Sequence, residues 1–250
     1  MTAPVEKMDP VDLIEYDTIL ISDVHFGSPL CQAKELSEFL PRIRVKNLML
    51  VGDLFDDLNF RRLAHWHWEA LSRIRKMSDH CTVTWIRGNH DIVSAPTMSH
   101  LLGVHVLNSF SWTEYGKRFF AIHGDRWDTF IYKYQRCTAF LTWFYNSLSR
   151  VNSRAVTTFT RWLKRSAKLL TRNREAVRSG AIAYANKKGF NIVFCGHTHV
   201  PELIRVKNII YGNDGTWQSD VPHFIGIKEG MIELCRYEND KITLIASEAF

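Results

Sequence analysis

Five times along its 250 residues the chain runs through a short apolar or β-branched stretch and stops in a polar cluster. Residues 18–21 end in Ser22-Asp23, 47–51 in Gly52-Asp53, 81–86 in Gly88-Asn89-His90-Asp91, 118–122 in His123-Gly124-Asp125, and 191–195 in Gly196-His197. Between the early units the apolar residues take helical spacing: Ala33, Leu36, Phe39 and Leu40, then Leu63, His67, Leu71, Ile74 and Met77. Strand, loop and helix in alternation fit an α/β architecture, whose sites form at the carboxyl ends of the strands. The polar clusters should therefore meet at one rim.

Residues 127–188 break the pattern and read as helices without strands. Phe140, Phe144 and Leu148 share one face, and Val156, Phe159, Leu163, Ala167 and Leu170 another, with a helix stop at Lys187-Lys188-Gly189. After His199 the pattern changes to short strands with turn signals at Asn213-Asp214-Gly215, Lys228-Glu229-Gly230 and Glu238-Asn239-Asp240, expected to continue antiparallel as a second sheet. No linker composition divides the chain. The expectation is one domain over 1–250 with an inserted helical subdomain over 127–188.

Hydrophobic residues at 46% and charged residues at 23% exclude disordered and fibrous classes. Five scattered cysteines without a C-x-x-C pair exclude a disulfide framework and a zinc ribbon, and fit a reducing compartment. Acidic residues interrupt the amino-terminal segment, and polar residues with Pro96 and Gly103 interrupt 92–113, so neither a signal peptide nor a membrane span is expected. A cytoplasmic location follows as the expectation. Between Arg126 and Arg178 twelve basic residues face only Asp128 and Glu175, so this stretch carries +10 and the rest of the chain −4. One surface should meet an anionic partner, either lipid headgroups, nucleic acid or a phosphorylated substrate.

The clusters Asp23-x-His25, Gly52-Asp53, Gly88-Asn89-His90-Asp91, His123-Gly124-Asp125 and Gly196-His197-Thr198-His199 collect carboxylates, imidazoles and an amide oxygen, with no thiolate. Manganese, iron(II) and zinc accept that set. Taken in this order, the clusters resemble the calcineurin-like metallophosphoesterase superfamily, with its D-x-H, G-D-x-x-D, G-N-H-D, internal histidine and G-H-x-H motifs. The resemblance implies a two-sheet β-sandwich flanked by helices, here with a helical cap insertion, and a pair of divalent ions, with manganese the first expectation. Asp23, His25 and His199 would hold one ion, Asn89, His123 and His197 the other, and Asp53 would bridge. It also implies that His90 protonates the leaving oxygen and that Asp56 keeps its ring protonated.

Asp57 follows Asp56 where the protein serine/threonine phosphatases of that superfamily carry arginine. The stretches Ser22-Asp23-Val24-His25-Phe26-Gly27, Gly52-Asp53-Leu54-Phe55-Asp56 and Gly196-His197-Thr198-His199-Val200-Pro201 are instead similar to UDP-2,3-diacylglucosamine hydrolases of lipid A biosynthesis. That likeness implies release of UMP and a lipid monophosphate, with the insertion as an acyl-chain cap. His90 and Asp56-Asp57-Leu58-Asn59 depart from that family's usual residues and mark a divergent branch. Trp127, Phe130, Phe140, Trp143, Phe144, Phe159 and Trp162 among the basic residues of the insertion suit a lipid-linked nucleotide substrate and the inner face of a membrane. Arg61 and Arg62 are candidate phosphate contacts. The alternatives are a nuclease or nucleotide phosphodiesterase whose insertion binds nucleic acid, and an interaction scaffold without catalysis.

Overall fold

The computed structural model describes residues 13–57, 59–92, 95–128, 167–219 and 221–250. Among these, strands β1 (Ile14–Ile21), β2 (Ile43–Val51), β3 (Thr82–Ile86) and β4 (His105–Leu107) lie parallel. Beside β1, strands β10 (His223–Lys228), β11 (Met231–Glu238) and β12 (Lys241–Ala249) follow antiparallel, completing a seven-stranded sheet of order β12-β11-β10-β1-β2-β3-β4. The other sheet takes β5 (Phe110–Glu114), β6 (Lys117–Ala121), β7 (Ile192–Cys195), β8 (Glu202–Val206) and β9 (Ile209–Asn213) in the order β5-β6-β7-β9-β8.

Successive side chains of a strand point to opposite faces, and the apolar runs of β1 and β2 bury both. Leu20, Met49, Val51 and Ile86 meet Phe119, Ala121, Ile192 and Phe194 in the core between the sheets. Their neighbours Ile19, Ile21, Leu48 and Leu50 face Leu36 and Phe39 of α1 (Ala33–Phe39), Leu71 and Ile74 of α2 (His65–Met77), and Met98 and Leu102 of α3 (Ala95–Leu102). On the far side Phe120, Val193, Cys195 and Tyr211 pack against Val177, Ala181 and Ala185 of α4 (Ala167–Lys188). The result is two sheets face to face, flanked by helices, as expected. His67 and Cys195 are buried packing residues, His67 accepting the Ala64 N–H at 2.8 Å.

The strands after His199 do not form a sheet of their own. β8 and β9 extend the sheet already holding β6 and β7, while β10, β11 and β12 join β1. Strand propensity is local, but the partner is set by which face each strand can bury. Two of the three turn signals connect hairpins, with Glu229, Asn239 and Asp240 at positive φ. The third, Asn213-Asp214-Gly215, does not. There Asn213 donates to the Gly196 carbonyl at 2.7 Å and Asp214 turns toward Ser22, so this loop braces the site rim.

Helix α4 ends at Lys188 before Gly189 at φ +71°, as the sequence implies. Arg174 and Arg178 on it each reach Glu202 at 2.8 Å, so two charges of the basic stretch are spent holding the helix to β8. The aromatic residues named for the cap, other than Trp127, lie outside the described residues.

Candidate metal centre

Every polar cluster sits just past the end of a parallel strand: Asp23 and His25 after β1, Asp53 after β2, Asn89 and His90 after β3, His123 after β6, and His197 and His199 after β7. Pairing continues beyond the strand ends and fixes the first two loops together, with Asp23 N donating to Gly52 O at 3.0 Å and His25 N to Asp53 O at 2.9 Å. The third loop is tied in by Asp91, whose carboxylate accepts from Phe55 N, Gly88 N and the Trp85 indole within 3.2 Å. Asp91 thus organises the loops rather than joining the ligands.

The two sheets approach closely here, and glycine permits it. A Cβ on Gly52 would stand 2.2 Å from His123 Nδ1, and one on Gly196 2.6 Å from Asp23 Oδ2. Asp23, His25, Asp53, His197 and His199 all adopt the left-handed backbone region, with φ between 50° and 69°. Non-glycine residues seldom do so, and clustering of this strain marks a site whose side chains must be aimed.

Six of the proposed ligands, together with His90, fall in three overlapping groups: Asp23, His25 and His199; His25, Asp53 and His90; Asp53, His123 and His197, each with candidate ligand atoms within 4.8 Å of one another. Asp53 Oδ2 lies 3.2 Å from His123 Nε2 and 3.7 Å from His25 Nε2, the place of a bridging oxygen. Asp53 Oδ1 is held by the His90 N–H at 2.8 Å. His199 Nε2 stands 3.0 Å from Asp23 Oδ1. His123 Nδ1 donates to the Val51 carbonyl at 2.9 Å, which leaves its Nε2 facing Asp53. Among the described residues Asn89 Oδ1 is buried without a hydrogen bond, and Asp23 Oδ1, His25 Nε2 and His123 Nε2 are buried with only one another's imidazole–carboxylate contacts and that of His199 to satisfy them. Orphaned lone pairs of this kind are costly unless a cation takes them, so the residues fit a pair of divalent ions.

Electrostatics agree. Burial pushes His25 down, but Asp23, Asp56 and Asp53 outweigh it and lift it to about 9; the Asp53 charge likewise raises His123 against its burial. Asp23 and Asp53 are held below the usual carboxylate range by the surrounding imidazoles despite burial. Protons stand where cations would bind. Ser22 completes the frame: its hydroxyl lies 2.6 Å from Asp23 Oδ2 and 2.5 Å from Asp214 Oδ1, within donating reach of either, and burial pushes the Asp214 carboxyl well above its ordinary range.

A pH dependence follows. His25 is raised, so its contribution to the metal-free protein is full below its ordinary 6.5 and drains as pH climbs through about 9. The depressed carboxylates contribute fully above 3.8 and lose that contribution in acid. In chelator, the melting temperature should peak between those limits and fall toward pH 9. With saturating manganese the alkaline fall should vanish, because ligation replaces those protons. Calorimetric scans across pH with and without metal test this, and an unchanged alkaline limb on loading would count against these residues as ligands.

Two sequence expectations need adjusting. The His90 ring donates from Nδ1 to the main-chain carbonyl of Asp56 at 2.8 Å, not to its carboxylate. The Asp56 carboxylate instead meets His25 Nδ1 at 3.5 Å and Arg62 at 2.8 Å. Arg62 also pairs with Asp57 at 2.6 Å, which commits its guanidinium to bracing Asp56. Arg61 is exposed and forms no ion pair among the described residues. Arg87 and Arg126, which motif reading passed over, line a cleft of about 390 Å³ with Gly88, Asn108 and Asp125. Arg126 is held over Trp127 and Tyr184 at 5.5 and 5.4 Å, and neither arginine has a carboxylate partner among the described residues. A basic side chain outside a motif gives no sequence signal of this kind.

The family model described as calcineurin-like phosphoesterase matches residues 17–201. No curated protein matches. Among solved structures, Yfce, a phosphoesterase from E. coli, aligns with a TM-score of 0.54 at 14% identity, covering 93% of this chain and 98% of that one. Vps29 from Chaetomium thermophilum aligns at 0.51 and 12% identity over 93% and 97%. Vacuolar Protein Sorting 29 from Cryptosporidium parvum aligns at 0.51 and 10% identity over the same shares. At such identities the likeness is one of fold.

Proposed function

The chain belongs to the calcineurin-like phosphoesterase family, and on that premise we propose that it hydrolyses a lipid-linked nucleotide diphosphate, UDP-2,3-diacylglucosamine or a close analogue, to a nucleoside monophosphate and a lipid monophosphate. The observation that carries the hydrolytic part is the convergence of two ligand groups on Asp53. Two divalent cations held there would supply Lewis-acid activation of water and neutralise charge on the phosphoryl group. Manganese is the proposed metal.

The residues supply the rest. The Asp56 carbonyl keeps one proton on His90 Nδ1, so in the imidazolium form the second proton, on Nε2, is the one that would pass to the departing oxygen and be replaced from water. Arg87 and Arg126 lie beside Gly88 and Asp125, next to the second ligand group, where a phosphate beyond the scissile bond could be bound by charge-assisted hydrogen bonds. A diphosphate has such a second phosphate. No helix among the described residues is long and apolar enough to cross a membrane, and we propose surface contact through the 127–188 segment instead.

The test is release of UMP from UDP-2,3-diacylglucosamine with manganese, beside a simple bis-aryl phosphodiester. Arg87→Gln and Arg126→Gln should each raise KM for the diphosphate about 10-fold, the cost of one charged hydrogen bond, and leave the simple diester unchanged. If only the simple diester turns over, the lipid substrate is wrong and a nucleotide and nucleic-acid panel follows. If nothing turns over at full metal occupancy, the protein is an interaction scaffold.

A further inference from the structure

Past His123 the chain makes a single 3-10 turn, Asp125–Trp127, and Asp128 closes it by donating its N–H to the Asp125 carbonyl at 2.9 Å. This turn drops the Asp128 side chain inward, where it is 2% exposed. Its Oδ2 lies 2.8 Å from His197 Nε2 and accepts the Asn173 amide N–H at 2.7 Å. Asn173 belongs to α4, one turn before Val177, which packs on Gly124 at the base of the same loop. A continuous hydrogen-bonded path therefore runs from the helix at the end of the inserted segment to one candidate ligand.

We propose that Asp128 is a positioning residue that sets the tautomer of His197, and that Asn173 makes this setting depend on the seating of α4. The proposal rests on His197 being a metal ligand. A carboxylate oxygen can only accept, so His197 carries its proton on Nε2, which leaves Nδ1 as the nitrogen it can offer to an ion held with Asp53 and His123. His123 is fixed the opposite way, with Nδ1–H on the Val51 carbonyl and Nε2 as the nitrogen aimed at Asp53. Two imidazoles of one centre thus have opposite ring nitrogens committed to partners outside it. The carboxylate partner additionally strengthens the ligand as a base, and outer partners of this type change metal affinity by about 10–100-fold.

His123 and His197 differ in what holds them. The His123 ring is fully buried with its Nδ1 tied to a main-chain carbonyl, whereas His197 lies in a loop at φ +69° and its Nε2 is tied to the Asp128 side chain. Without Asp128, both ring nitrogens compete for the proton and part of the population presents N–H, not a lone pair, to the ion.

The experiment is manganese titration by calorimetry on the full chain, with imidazole nitrogen NMR of the metal-free protein. Asp128→Ala should weaken one of two sites about 10–100-fold, leave the other unchanged, and turn the His197 signal from a single Nε2–H tautomer into a mixture. Asp128→Asn, whose amide oxygen still accepts, should recover most of the affinity, and Asn173→Ala should weaken the same site by a smaller factor. Melting in chelator reports whether each variant folds. Equal weakening of both sites with a fallen melting temperature in chelator, or two unchanged sites with an unchanged tautomer, overturns the proposal. His197→Ala separates the premise from it. If that variant keeps both sites, His197 is not a ligand; if it loses one and Asp128→Ala loses none, the positioning role alone fails.

Discussion

Asp53→Ala should lower phosphodiester turnover by about 10⁴-fold, more than loss of any other single ligand, because the two halves of the centre share this carboxylate. Its Oδ2 stands between His123 and His25 at 3.2 and 3.7 Å, and its Oδ1 is fixed by the His90 N–H. Gly88 shows how closely it is enclosed: a Cβ there would lie 2.2 Å from Asp53 Oδ1. Without it, two imidazoles face each other across a buried space with no anion between them, and cations placed there would repel unscreened. Metal content per chain should fall from two toward zero. Asp53→Asn distinguishes charge from shape, since it keeps the volume and the His90 contact. Equal loss in both variants would assign the effect to charge, whereas substantial activity with both ions retained would remove Asp53 from the bridging role.

His90→Ala should reduce turnover by about 10²–10⁴-fold on substrates with a strongly basic leaving oxygen and by little on those with an acidic phenol. The reason is its placement. Its ring is anchored through Nδ1 to a backbone carbonyl, contacts His25 edge-on at 4.8 Å between centroids, and is open to solvent. A group so placed can exchange protons with water between turnovers, which a buried ligand cannot do. The measurement is kcat against leaving-group basicity for wild type and variant. A steeper dependence in the variant supports proton delivery by His90, and parallel lines would leave it a role in binding alone. Because a phosphate is a less basic leaving group than an alkoxide, a diphosphate substrate should lose less than an alkyl diester on the same substitution.

Much of this candidate centre was legible in the chain because its candidate ligands are punctuation. Each follows an apolar run that has to be a buried strand, and glycine beside it marks where the backbone must turn or approach another segment. The helices α1 and α2 were equally readable from apolar spacing. What could not be read was partnership across long sequence distance. Nothing local says that β10 lies beside β1 or that Asp214 reaches Ser22, since those contacts depend on sheet order. Arg62 shows the same limit at shorter range: its position after the second motif suggested a phosphate contact, but Asp56 and Asp57 are nearer and hold it. Asp128 looked like one of two stray acids in a basic stretch, and only the turn after His123 reveals that it points inward.

The provenance of the ligands has a mechanical consequence. Asp23, His25, Asp53 and Asn89 hang from the first sheet, and His123, His197 and His199 from the second. Ions bound among them would rivet one layer of the sandwich to the other at this end, while the opposite end is joined by apolar contact and by polar ties such as Tyr115 to Asp17 and Arg205 to Glu248. Starvation for metal then becomes a question of lifetime in the cell as well as of catalysis. The unriveted layers would splay first at the rim that carries the loops, exposing backbone to proteases, and the supply of a trace element would set how long each copy survives.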